Sequence, residues 1–206
     1  MPERRKKTGI MGGTFDPIHY GHLLIAENAA AQYDLDEVWF MPTGQSPHKQ
    51  QQNITDAGHR CEMIELAIVD NPKFYLSRLE VDSDETNYTY RTLSRLHELH
   101  PDEDFYFILG GDSLKSFEKW REPELILKSA YILAAIRDDV EGDSFQEQID
   151  NLNHNYDSLG VFPLRTPKFT VSSRGIRELV KNKNTIRYML PEQVREYIIK
   201  HNLYQG

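Results

Sequence analysis

A chain of 206 residues, 39% hydrophobic and 27% charged, has the length for one sizeable globular domain and the composition of a soluble one. No apolar run approaches the roughly 20 residues of a membrane-spanning helix, which argues against a membrane protein and points to the cytoplasm. The net charge of −8 argues against a nonspecific nucleic-acid binder, and the single cysteine, Cys61, excludes an internal disulfide or a thiolate metal cluster.

The basic opening Pro2-Glu3-Arg4-Arg5-Lys6-Lys7 is followed by no apolar segment with a cleavage site, so it reads as a frayed, solvated terminus over residues 1–7. Thr8 to Met11 predicts a strand, and Leu23 to Tyr33, rich in Leu, Ile and Ala at a helical period, predicts a helix. Between them runs Gly12-Gly13-Thr14-Phe15-Asp16-Pro17-Ile18-His19-Tyr20-Gly21-His22. Glycines let the backbone approach an anion closely, and the helix start supplies N–H groups and the positive end of a dipole. His19 and His22, three apart, permit three readings: metal ligands, hydrogen-bond donors to phosphate, or ordinary helix-start histidines. No third His or carboxylate lies at a zinc-site spacing, and His97 and His100 repeat the interval elsewhere, so phosphate is favoured over metal.

Glu37 to Met41 predicts a strand with Trp39 in the core, and the polar, Pro- and Gly-punctuated Pro42 to Asn53 predicts a mobile loop. Gly58 to Val69 predicts a helix with Cys61, Ile64 and Ile68 on one face, so Cys61 reads as a small buried hydrophobe rather than a nucleophile. A strand at Phe74 to Leu79 and a helix at Tyr90 to His100 follow. The strand Phe105 to Leu109 leads into Gly110-Gly111-Asp112-Ser113, where Asp112 suits a ribose hydroxyl and a helix cap near Ser113 is the alternative. Trp120, in a polar stretch, reads by itself as core.

Further helices are predicted at Glu122 to Lys128, Ser144 to Asn155, Ser172 to Val180 and Pro191 to Lys200, and strands at Tyr131 to Ile136 and Leu159 to Phe162, with an acidic loop at Asp138 to Asp143. Ser172 and Ser173 are N-cap candidates, with Arg177 able to reach a phosphate. Several strands are continuous apolar runs, as in a parallel sheet covered on both faces. The expected fold is therefore α/β, a Rossmann-like, doubly wound, mostly parallel sheet with helices on both faces. No repeat or linker divides the chain, so residues 1–206 read as a single domain.

Gly-x-Phe-Asp-Pro-x-His-x-Gly-His, from Gly13 to His22, resembles the signature of the nucleotidylyltransferase superfamily. Val171-Ser172-Ser173-Arg174-Gly175-Ile176-Arg177 resembles its second signature, Ile-Ser-Ser-Thr-x-Ile-Arg, with Arg174 in place of Thr. Similarity continues through Phe40-Met41-Pro42, Pro47-His48-Lys49, His59-Arg60, Tyr88-Thr89, Gly110 to Ser113, Trp120, and Leu190-Pro191-Glu192 through Leu203-Tyr204. Within the superfamily this set is most similar to the bacterial nicotinate-nucleotide adenylyltransferases, although Arg91 stands where they often have an acidic or amide residue. A phosphopantetheine adenylyltransferase fits less well, being shorter and carrying Thr in place of His19.

The resemblance implies transfer of the adenylyl group of ATP to nicotinate mononucleotide, giving nicotinate adenine dinucleotide and pyrophosphate in NAD biosynthesis, with Mg²⁺ carried by ATP and no metal held by the chain. It implies His19, His22, Lys49 and Arg177 as catalytic groups, and Gly12, Gly13, His19, His22, Gly110, Asp112, Ser172, Ser173 and Arg177 at ATP. Gly13, Thr14, Phe15, Lys49, Thr89 and Trp120 would hold the mononucleotide, with Trp120 stacked on the pyridine and Thr89 toward its carboxylate. The attacking phosphate is already ionised, so alignment and charge neutralisation replace a general base. Nucleic-acid and membrane partners are not implied, and the oligomeric state, a homodimer included, is left open. The alternatives are another adenylyltransferase of the superfamily or a non-catalytic nucleotide sensor on the same fold. A class I tRNA-synthetase fragment ranks behind them because the chain is short and acidic, and a zinc hydrolase would require bound metal.

Overall fold

The computed structural model describes residues 4–44, 54–136 and 142–205, so Lys49 and its neighbours Pro47 and His48 lie outside the described residues. The chain begins β1 (Lys6–Gly13), α1 (Tyr20–Tyr33), β2 (Glu37–Pro42), α2 (Ala57–Ile68), β3 (Phe74–Leu76), α3 (Thr89–Leu99) and β4 (Glu103–Gly110). It continues α4 (Gly111–Lys115), a 3₁₀ turn (Phe117–Lys119), α5 (Pro123–Ser129), β5 (Tyr131–Ile136), α6 (Gly142–Asn155), β6 (Val161–Arg165), α7 (Ser173–Lys181) and α8 (Glu192–Lys200).

The six strands form one sheet in the order β3-β2-β1-β4-β5-β6, and every neighbouring pair is parallel. Alternate side chains face opposite layers, and both layers are apolar because helices cover both faces. Met11, Val38, Phe40, Ile108, Leu133 and Leu164 pack with Ala26 and Ala29 of α1, Met63 and Ile64 of α2, Ile176 of α7 and Val194 of α8. Ile10, Phe105, Phe107, Leu109, Ile132 and Ala134 pack on the other side with Leu93 and Leu96 of α3, Ile126 of α5 and Phe145 and Ile149 of α6.

Strand order reverses beside β1. The connection from β1 leads outward to β2 and β3, and the chain then crosses back to place β4 on the other side of β1. The loops leaving the carboxyl ends of β1 and β4 therefore diverge and open a crevice between Gly13 and Gly110, the ligand position of open α/β sheets.

Several expectations are corrected. β3 stops at Leu76 rather than Leu79, because it is an edge strand paired only with β2 and the chain turns away where Asp82 N–H donates to the Arg78 carbonyl. β6 starts at Val161 rather than Leu159 and runs to Arg165, with Pro163 tolerated on an edge strand. Trp39 is half-buried rather than in the core, and its Nε1 donates to Glu37 Oε1 at 2.6 Å. Cys61, by contrast, is buried as expected, and that burial pushes its thiol pKa up.

Residues 4–7 are anchored rather than frayed. Lys6 and Lys7 open the central strand, and acidic groups at the starts of the flanking strands draw the basic residues in. Arg4 pairs with Asp36 at 3.1 Å, Arg5 with Asp104 at 2.6 Å, and Lys6 with Glu37 at 2.7 Å.

Gly9, at the middle of β1, tests this packing, since a Cβ there would lie 2.9 Å from Leu35 Cδ1 and 3.1 Å from Val38 Cγ2. Gly9→Val is expected to cost about 1–3 kcal/mol by overpacking, measured as a fall in urea midpoint at unchanged m-value.

Candidate functional site

Gly13 ends β1, and its carbonyl accepts from Thr43 N–H at 2.8 Å, tying the turn to the end of β2. The Phe15 ring covers Gly13, where a Cβ would sit 3.1 Å from the ring. Phe15 itself has φ of 51°, a left-handed conformation that costs a non-glycine residue about 1–2 kcal/mol. Such strain persists only where surrounding contacts impose it.

Those contacts lie underneath, in a cluster of buried charge. Asp16 is 4% exposed, Arg60 3% and His19 5%. Asp16 Oδ1 accepts from the Tyr204 hydroxyl at 2.7 Å and Oδ2 from Thr55 N–H at 3.3 Å. Burial and the Asp16 carboxylate push the Tyr204 hydroxyl far above its ordinary pKa, so it stays a donor. Arg60, on α2, donates to three backbone carbonyls: Thr55 at 2.9 Å, Thr14 at 2.8 Å and Thr43 at 2.9 Å. Burial pulls the Arg60 pKa down and Asp16 pushes it back.

The two histidines head α1 as a reciprocal cap. His19 has extended backbone and its Nδ1 accepts from Gly21 N–H at 3.1 Å, while His22 Nδ1 accepts from His19 N–H at 3.3 Å. The rings stack at 3.8 Å between centroids. Because each Nδ1 is an acceptor, each neutral imidazole carries its proton on Nε2, and both rings are Nε2–H donors. Gly21 is required here, since a Cβ at that position would press on the His19 ring at 3.0 Å.

The second signature docks on the same turn. Ser172 caps α7 by accepting from Gly175 N–H at 3.1 Å, the Ser173 hydroxyl donates to the Pro17 carbonyl at 2.8 Å, and Arg177 Nη1 donates to the Asp16 carbonyl at 2.6 Å. Arg174 instead pairs along the exposed helix with Glu178 at 3.0 Å. The first turns of α1 and α7 contain no acidic residue, so neither dipole is neutralised where an anion would approach.

A second wall faces the end of β1. A Cβ at Gly12 would touch the Phe107 ring at 3.6 Å, and Trp120, half-buried, meets Phe107 and Phe117 at 6.4 and 5.4 Å between centroids. Thr89 opens α3, and its neighbour Tyr88 lies under the Arg121 guanidinium at 4.9 Å, which brings Thr89 and Trp120 to the same side. Gly44 abuts this wall so closely that a Cβ there would press on the Glu80 carbonyl oxygen. The half-buried Glu80 carboxyl, its pKa pushed up by desolvation, accepts from the Thr92 hydroxyl at 2.8 Å.

The structure thus brings together Gly12, Gly13, Thr14, Phe15, His19, His22, Ser172, Ser173 and Arg177, with Gly110 across the crevice and Thr89 and Trp120 on the second wall. Asp112 is the second residue of α4, and its side chain lies outside the described part. The cap of α4 is Gly110, not a residue near Ser113. Sequence reasoning assigned no role to Asp16, Arg60 or Tyr204. One signal was available for Arg60: it precedes Met63 and Ile64 by three and four residues, which puts a charge on the apolar face of α2.

A family model described as cytidylyltransferase-like matches residues 10–179. A protein of Lachnoclostridium phytofermentans named "Probable nicotinate-nucleotide adenylyltransferase" is 48% identical over 199 residues, 97% of this chain and 99% of that one. One of the same name from Bacillus cytotoxicus is 42% identical over 98% of this chain and all of its own length. The solved Plasmodium falciparum nicotinic acid mononucleotide adenylyltransferase complexed with NaAD superposes with a TM-score of 0.79 at 26% identity, covering 97% of each chain. On the match across both signatures and nearly the whole length, this chain belongs to the cytidylyltransferase-like family and, within it, to the nicotinate-nucleotide adenylyltransferases.

Proposed function

We propose that this protein transfers the adenylyl group of ATP to nicotinate mononucleotide, forming nicotinate adenine dinucleotide and releasing pyrophosphate, a step of NAD biosynthesis. The observation that carries the reading is the reciprocal cap of His19 and His22. It fixes two Nε2–H donors at the head of a helix, at the switch point of a parallel sheet.

The mononucleotide phosphate attacks the α-phosphorus of ATP, and the bond from that phosphorus to the oxygen of the departing pyrophosphate breaks. The nucleophile is ionised near neutral pH, so no proton has to be removed from it. The chain aligns the two phosphates and offsets the charge that builds up between them. His19 and His22 donate to phosphate oxygens, and such donors contribute about 2.7–4 kcal/mol each at the transition state. Arg177 spends one hydrogen bond on the Asp16 carbonyl and directs its remaining donors to the triphosphate. Lys49 adds positive charge there, and the α7 start with Ser172 and Ser173 lies on the ATP side. Backbone groups of Gly13 to Phe15 hold the mononucleotide, Trp120 stacks on its pyridine and Thr89 meets the carboxylate.

Mg²⁺ enters with ATP and supplies further charge neutralisation. Triphosphate oxygens would hold the ion in this reading, as Mg²⁺ sites with substrate phosphates commonly do.

Pyrophosphate release is expected with ATP and nicotinate mononucleotide, at a much higher kcat/KM than with nicotinamide mononucleotide. Release with neither would favour a nucleotide sensor, and equal rates would remove the preference for the acid. His22→Ala is expected to lower kcat by about 10² or more. The lost cap adds only about 0.5–2 kcal/mol of destabilisation, so the variant should remain folded by circular dichroism. For Trp120→Ala, titration calorimetry should give weaker binding of nicotinate mononucleotide with ATP affinity little changed, and equal loss for both would count against stacking on the pyridine.

A further inference from the structure

We propose that Arg60 is a positioning residue: by holding the Thr14 carbonyl, it aims the backbone N–H of Phe15 at the phosphate of the mononucleotide. This rests on the adenylyl-transfer reading and assigns a task to a residue placed below the turn, out of reach of the substrate.

The argument starts from the peptide unit. The one cis peptide among the described residues is Asp16–Pro17, so the Thr14–Phe15 unit is trans, and its C=O and N–H point in opposite directions. Arg60 Nη1 draws the Thr14 carbonyl inward at 2.8 Å. The Phe15 N–H therefore faces away from α2 and from the buried charge. Without that pull, the unit could rotate and present an oxygen to an incoming phosphate.

Two further observations agree. Phe15 has a left-handed φ of 51°, the conformation in which successive N–H groups converge in anion-binding turns. Phe15 is also 2% exposed, yet its N–H has no hydrogen-bond partner among the described residues. Buried backbone N–H groups are almost always paired, and a phosphate oxygen would complete this one. The remaining Arg60 nitrogens hold the Thr43 and Thr55 carbonyls at 2.9 Å each, so the guanidinium cannot swing without releasing three segments together.

The test is a double cycle between Arg60→Lys and removal of the ligand's phosphate. A lysine keeps the charge but cannot donate in the planar fork that serves three carbonyls. Wild-type protein should bind nicotinate mononucleotide more tightly than nicotinate riboside, and Arg60→Lys should reduce that ratio by about 10- to 100-fold, as expected for one hydrogen bond to a charged group. Riboside affinity and the KM for ATP should stay within about twofold of wild type. A merely structural role would lower the folded fraction and leave the ratio unchanged, which would overturn the proposal.

Should the variant fail to fold, wild-type protein supplies the second measurement. The Phe15 amide resonance should move downfield on addition of nicotinate mononucleotide and not on addition of the riboside. An unmoved resonance would overturn the proposal while pyrophosphate release by the same sample still upheld the adenylyl-transfer reading.

Discussion

The turn that carries both histidines keeps its shape because two opposite charges are buried beneath it. Asp16 and Arg60 are each almost fully enclosed, and each bonds to other groups rather than to the other. The carboxylate takes Tyr204 and Thr55, and the guanidinium takes the carbonyls of Thr14, Thr43 and Thr55. A buried ion stripped of its partners costs several kcal/mol, roughly 3–5 where one member of a pair is deleted. That penalty binds the glycine-rich turn, the residues flanking positions 45–53, the start of α2 and the C-terminal Tyr204 into one unit. The left-handed Phe15 is held within it.

Charge is separated along the strand direction. At the amino ends of β2 and β4, Asp36, Glu37, Glu103 and Asp104 meet Arg4, Arg5 and Lys6. At the carboxyl ends the strands finish in Gly13, Pro42 and Gly110, and the helices that start beside them, α1 and α7, carry no acid in their first turns. A protein of net charge −8 can receive two anionic nucleotides where helix starts free of acidic residues face the approaching phosphates.

Much of this was legible before any coordinates. Apolar runs such as Phe105 to Leu109 announced strands buried on both faces, and the Gly12 to His22 run announced a strand, a tight turn and a helix. The errors cluster where local pattern and tertiary partner disagree. Leu159 looked like strand and is 45% exposed, because the β6 ladder starts two residues later, at Val161. The basic residues 4–7 looked solvated because their acidic partners at Asp36 and Asp104 are roughly 30 and 100 positions away. The bond from Arg177 to the Asp16 carbonyl spans 161 residues of sequence and has no local signature.

By itself the sequence determined the alternation of strands and helices, the position of the histidine turn and the superfamily whose signatures the chain repeats, because these depend on periodicity and on residues adjacent in the chain. Only the tertiary structure decided which nitrogen of each imidazole donates, which way the Thr14–Phe15 peptide faces, and that Arg60 and Tyr204 lie beneath the turn. Those are matters of hydrogen-bond direction between groups distant in sequence. Direction is settled only when the sheet closes and most buried donors and acceptors find their partners.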